Sequence, residues 1–253
     1  MRRYKQPPIT EAVCEFRFDP SSPWDLTIPG LVYDQLRESF PNKRQASVLE
    51  SETASFGAQA QVKVQASGRS QFLSADEKTI VSVGTNVLAV SRLEPYRGWQ
   101  EFLPTIQHAL DAYRKVSDPK GINRVGLRYV NQIHFSQPKV DLETFFNFYP
   151  FVGKKLPADF VRFVVGIETP ASNGRDLLRL TMMTVPPAGE TKFSVLLDLD
   201  YFLAQPASIN LDEVQQWLDM AHGAVGATFE GCIRDSLRAQ FGEIGGDAGS
   251  SSS

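Results

Sequence analysis

The sequence predicts an α+β fold: twisted antiparallel sheet with long helices packed on one face. Three observations predict it. Segments with apolar residues at every second position recur along the chain, separated by turn signals short enough for hairpins. Two long segments space their apolar residues as one face of a helix. The order strand, helix, antiparallel strands, helix occurs twice, without clear sequence identity between the two halves.

The first strand is "ITEAVCEFRF". Ala12, Cys14, Phe16 and Phe18 fall on one face, and Glu11, Glu15 and Arg17 on the other. In "TIPGLVYDQLRESFP", Thr27 is placed to cap, Pro29 suits a first turn, and Val32, Leu36 and Phe40 form a helical stripe. A meander follows: "AQAQVKVQA", "SQFLS", "TIVSV" and "VLAVSRL", with "SGRS", "ADEK" and "GTN" as its turns. Trp99, Phe102, Ile106, Ala109, Tyr113 and Val116 then keep helical spacing, with Pro104 expected to kink or separate the first turn.

The second half opens on the long strand "INRVGLRYVNQIHF". Val125, Leu127, Tyr129, Ile133 and Phe135 share one face; Arg124, Arg128, Gln132 and His134 share the other. A short helix, "LETFFNF", and three strands, "FVRFVVGIE", "LLRLTMMTV" and "TKFSVLLDLDYF", come next. One helix is predicted from Asn210 to about Phe241, opened by a capping-box pair of Asn210 and Glu213. The expected division is an N-terminal half at 1–120, a C-terminal half at 121–242 and a disordered Gly/Ser-rich tail at 243–253. The two halves either stand apart or share one sheet.

Composition narrows the function. A hydrophobic fraction of 42% supports a real core. A net charge of −3 gives no bulk basic footprint, so generic nucleic-acid binding is not expected. No apolar run approaches ~18 residues, and the N-terminal stretch lacks the apolar core of a secretory signal, so neither membrane nor export is expected. Cys14 and Cys232 read as buried thiols in a reducing, cytoplasmic setting, with one disulfide between them as the alternative. The three histidines have no metal-ligand spacing, and no cofactor motif occurs.

Four stretches, "PPITEAVCEFRF", "YRGWQEF", "RVGLRYVNQI" and "LLDLDYF" followed by "VQQWLDMAHGAVGATFEGCI", resemble a sporadically distributed family of prokaryotic proteins of about this length. The resemblance runs from about residue 5 to residue 240. It brings no established reaction, cofactor or catalytic residue. The family's patchy distribution resembles that of mobile defence or toxin–antitoxin genes.

Two clusters stand as candidate sites. Asp198 and Asp200 point the same way from one strand, and Arg124 and Arg128 do so from another. Paired carboxylates can hold a divalent metal for phosphoryl transfer, with Glu168 and Glu190 as further ligands, and paired guanidiniums can clamp an anion. The plainer reading pairs the aspartates with Arg124, Arg128, Arg162 and Arg179 across strands, without metal. Tyr96, Arg97 and Trp99 form an aromatic–arginine cluster suited to a partner, or an anchor for the second helix. His222, with Asp219 one turn before it, reads as a packed histidine. No catalytic residue is assigned. The expected function is a non-enzymatic binding or interaction protein with a protein partner or a second copy of itself. The alternative is a ligand-binding cup or metal-dependent phosphoryl-transfer enzyme built on Asp198, Asp200, Arg124 and Arg128.

Overall fold

A computed structural model describes residues 2–54, 61–153, 155–156 and 161–244, with side chains described outside 48–54 and 61–67. The strands are β1 (Arg3–Tyr4), β2 (Ile9–Phe18), β3 (Asn42–Ala54), β4 (Gln61–Leu73), β5 (Thr79–Gly84), β6 (Val87–Leu93), β7 (Ile122–Phe135), β8 (Val164–Ala171), β9 (Asp176–Val185), β10 (Phe193–Leu203) and β11 (Glu243–Ile244). The helices are α1 (Ile28–Leu36), α2 (Trp99–Ser117), α3 (Leu142–Phe145), α4 (Val214–Cys232) and α5 (Asp235–Phe241). The fold is α+β, as the period-two and period-3.6 patterns require.

Nine strands form one antiparallel sheet in the order β3-β4-β5-β6-β2-β7-β10-β9-β8, and β1 pairs with β11 apart from it. β2 lies between β6 and β7, so the start of the chain joins the strands of both halves into a single sheet. α1 packs on α2, α2 on β6, and α4 on β7 and β10. None of the described helices is long and apolar enough to cross a membrane.

The core lies under these helices. On β2, Ala12, Cys14, Phe16 and Phe18 are buried, and Phe18 stacks on Tyr113 of α2 at 4.6 Å between ring centroids. Each such ring contributes roughly 1.5–3 kcal/mol by leaving water. Val32 and Leu36 of α1 and Ile106 and Ala109 of α2 are fully buried against it.

Several local expectations are corrected. β3 carries no clean alternation, "NKRQASVLESETA", and was not foreseen as a strand. The turn expected at "SGRS" lies inside β4, where Gly68 pairs with Ser47 and Arg69 with Ala46. The stretch pairs with β3 without a break, and Arg69 is buried and holds Glu15 of β2 at 3.2 Å. Thr27 precedes α1, but its hydroxyl donates to Asp25 and caps no helical N–H. α2 runs unbroken through Pro104, which sits near enough to the N-terminus to forgo a single bond.

The last helix is broken. Asn210 and Glu213 do form their reciprocal pair, Glu213 N to Asn210 Oδ1 at 3.2 Å and Asn210 N to Glu213 Oε2 at 2.8 Å. The chain then leaves helical geometry at Ile233, which is extended and bridges Phe146. Glu243 and Ile244, expected at the head of the tail, pair with Tyr4 and Arg3. The tail from 245 onward and the first part of "AQAQVKVQA" lie outside the described residues.

Candidate functional site

The sheet face without helices carries a band of charge. Arg128 of β7 grips Asp198 of β10 with two parallel bonds, Nε to Oδ1 at 2.7 Å and Nη2 to Oδ2 at 2.6 Å. This fork-to-fork geometry is the strongest form of such a pair. Arg124 Nη2 donates to Asp200 Oδ2 at 3.1 Å and lies 3.8 Å from Glu15. Gly126 makes room for it: a Cβ there would meet the Arg124 guanidinium at 3.0 Å. Burial pushes the Asp200 carboxyl up, and the charges of Arg124, Arg128 and Arg179 pull it back down. Arg179 stands opposite Asp200 in register, yet its guanidinium turns to Glu168 at 2.6 Å. Arg162 is exposed and makes no ion pair with either aspartate. Among the described residues, no group of three His, Cys, Asp or Glu side chains is arranged to hold a metal.

Asp198→Ala is therefore expected to cost about 1–2 kcal/mol, because half-exposed Arg128 regains water when its partner goes. Mg²⁺ or Mn²⁺ should leave the wild-type melting temperature unmoved. A concentration-dependent rise would instead reveal a metal site.

The helix-bearing face holds a cavity of about 520 Å³. It opens between the start of α2, the middle of α4 and β1, with the sheet as its floor. Tyr129 and Asn131 of β7 and Leu199 of β10 line that floor. Trp99, Val225 and Phe229 line the walls, and Arg3 and Arg97 stand at the exposed rim.

Local structure fixes each group. Gly98 has φ 107° and ψ 169°, a conformation open to glycine alone, and this turn starts α2 with Trp99 at the cleft. The Trp99 ring stacks on His222 of α4, 4.4 Å between centroids and 6° from parallel. Its indole Nε1 donates to Asp219 Oδ1 at 3.1 Å. The Tyr96 and Tyr129 hydroxyls are 2.9 Å apart, and Tyr129 Oη is 3.2 Å from His222 Nδ1. With His222 Nδ1 as acceptor, protons point along one chain from Tyr96 through Tyr129 to His222. Burial pushes the Tyr129 phenol up and the Tyr96 phenol to about 12. Burial lowers His222, against the pull of Asp219. The three groups are thus held neutral near pH 7.

Asn131 is almost completely buried. Its Nδ2 donates to the Leu197 carbonyl at 3.1 Å and to that of Tyr129 at 3.5 Å. Its Oδ1 receives no hydrogen bond from any described residue. That oxygen is open to solvent, so water or a guest in the adjoining cavity can serve it.

The two sequence candidates therefore separate. Arg124, Arg128, Asp198 and Asp200 come together, on the face opposite the cavity and in pairs with one another. Tyr96, Arg97 and Trp99 come together at the cavity, joined by His222. Trp99 is half-buried rather than displayed on the surface. Asn131, Tyr129 and Arg3 were not singled out as site residues. Asn131 did leave a signal: the period of two places it on the apolar face of β7, between Tyr129 and Ile133. In comparisons with known proteins, no family model and no curated sequence matches the chain.

Proposed function

We propose that this chain is a non-enzymatic binding protein whose ligand enters the cleft between α2 and α4. The cleft itself is the observation that carries this reading: a preformed cavity of about 520 Å³ with aromatic walls and a few convergent polar groups. Phenols that burial holds protonated suit hydrogen bonding to a guest. The aspartates of the opposite face, each tied to a guanidinium, serve the sheet.

The test uses N-phenyl-1-naphthylamine, an uncharged dye that brightens in apolar surroundings. Titration should saturate, and Trp99→Ala should weaken binding about tenfold, since it removes the stacking wall. Circular dichroism checks that the variant stays folded. A signal that does not saturate, or one that Trp99→Ala leaves unchanged, would remove the cleft as the site.

A further inference from the structure

We infer that the ligand of this cleft is a small anion with a planar apolar body: a carboxylate, sulfonate or phosphate on an aromatic skeleton. The inference rests on the cleft being the binding site, and it comes from how the charges around it are committed.

The cations on the outer sheet face are engaged. Arg124, Arg128 and Arg179 hold carboxylates at 3.1, 2.6 and 2.6 Å. The rim of the cleft differs. Arg3 is exposed and has no carboxylate within 4.0 Å among the described residues. Arg97 is 60% exposed, and its nearest acid, Glu101, is 4.0 Å away. Glu230, which also lines the cleft, is offset by Arg238 at 3.0 Å and Arg2 at 4.0 Å, while Asp219 keeps its charge and accepts from Trp99 Nε1 behind the indole. Tyr129 on the floor and Tyr96 on the wall add no negative charge, because burial keeps both protonated. Two guanidiniums stand over the opening, Arg3 without a carboxylate in range and Arg97 with Glu101 only at 4.0 Å, in a protein whose net charge is −3. The start of α2 lines the same opening without a side-chain cap, and its dipole adds to the positive field.

The walls specify the rest. Trp99, Tyr96 and Phe229 present ring surface, which takes a flat apolar body well. Asn131 on the floor adds a carboxamide oxygen that no described donor engages, so a ligand N–H or O–H at the inner end can bond it in place of water.

Two dyes with one skeleton separate charge from shape: N-phenyl-1-naphthylamine is neutral, and 8-anilino-1-naphthalenesulfonate adds a sulfonate. At low salt the sulfonate should bind about fivefold tighter, and the preference should shrink as salt rises. Arg3→Ala combined with Arg97→Ala should erase the preference, bringing the two dyes to the same affinity. Lys115→Ala, on the exposed side of α2 outside the cleft, should change neither. Equal affinities, or a preference that survives the double substitution, overturn the anionic ligand and leave the cleft standing. Failure of both dyes to bind overturns the cleft and this inference together.

Discussion

Asp176→Ala should lose about 3–5 kcal/mol of folding stability, seen as a lower urea midpoint with an unchanged slope. Asp176 has no solvent exposure and takes three donors: Arg175 Nη2 at 2.7 Å, Trp217 Nε1 at 3.0 Å and Tyr201 Oη at 3.1 Å. Removing the carboxylate strands the Trp217 indole in the interior, at about 1–3 kcal/mol, while the Tyr201 phenol keeps Ser172 Oγ at 3.2 Å as a partner. Arg175 is partly exposed and regains water, which limits its share. pH gives an independent reading. Burial alone would raise the Asp176 carboxyl, but hydrogen bonds from Arg175, Trp217 and Tyr201 outweigh it and hold the group below its usual range. A carboxyl lower in the fold than in the unfolded chain adds stability above its unfolded value, about pH 4, and loses it as pH falls through the folded value. Wild-type stability should therefore drop more steeply below about pH 4 than that of the variant. A loss under about 1 kcal/mol would contradict the buried-anchor account. The anchor also bears on the cleft, because Trp217 fixes α4 to the sheet one and a half turns before His222.

How far the sequence spoke depended on whether one side of each element is buried. β2, β7 and β10 were legible because alternate residues leave water completely and the rest face it. β3 was not, since its polar sequence carries no period. "SGRS" looks like a turn because glycine and serines mark turns locally, whereas its pairing with β3 and the bond from Arg69 to Glu15, 54 positions away, are not written in the local residues. The same distance problem hid Asp176, whose partners lie 25 and 41 positions on. The site was half legible. Tyr96, Arg97 and Trp99 stand together in the chain and showed as a cluster. Arg3 reaches them only because β1 returns to pair with β11 at the far end of the sequence. Asn131 was visible by parity alone.

Ile233→Ala is expected to cost about 2–4 kcal/mol, with Ile233→Val costing only about 0.5–1.5. Ile233 is completely buried, extended at φ −105° and ψ 153°, and bridged to Phe146, which is also completely buried. Flanking bonds hold the kink: Asn147 N to the Cys232 carbonyl at 2.8 Å, and Arg234 N to the Phe145 carbonyl at 2.9 Å. Alanine acts twice here. It removes buried methyl groups, and it favours continuing α4 into α5 where the fold needs a break. Valine trims one methyl and keeps the β-branch that suits extended backbone. The break matters to the cleft because it turns α5 back against α4. Phe241 of α5 and Phe229 of α4 then both meet the Tyr4 ring, at 5.7 and 6.5 Å, and Arg238 reaches Glu230. Those contacts seat β1, which carries Arg3 to the rim. Ile233→Ala should thus weaken binding of the sulfonated dye as well as the fold, and Ile233→Val should leave it near wild type. If alanine raised helix content by circular dichroism with no loss of stability, the kink would have no role in holding α5, and β1 would need another anchor.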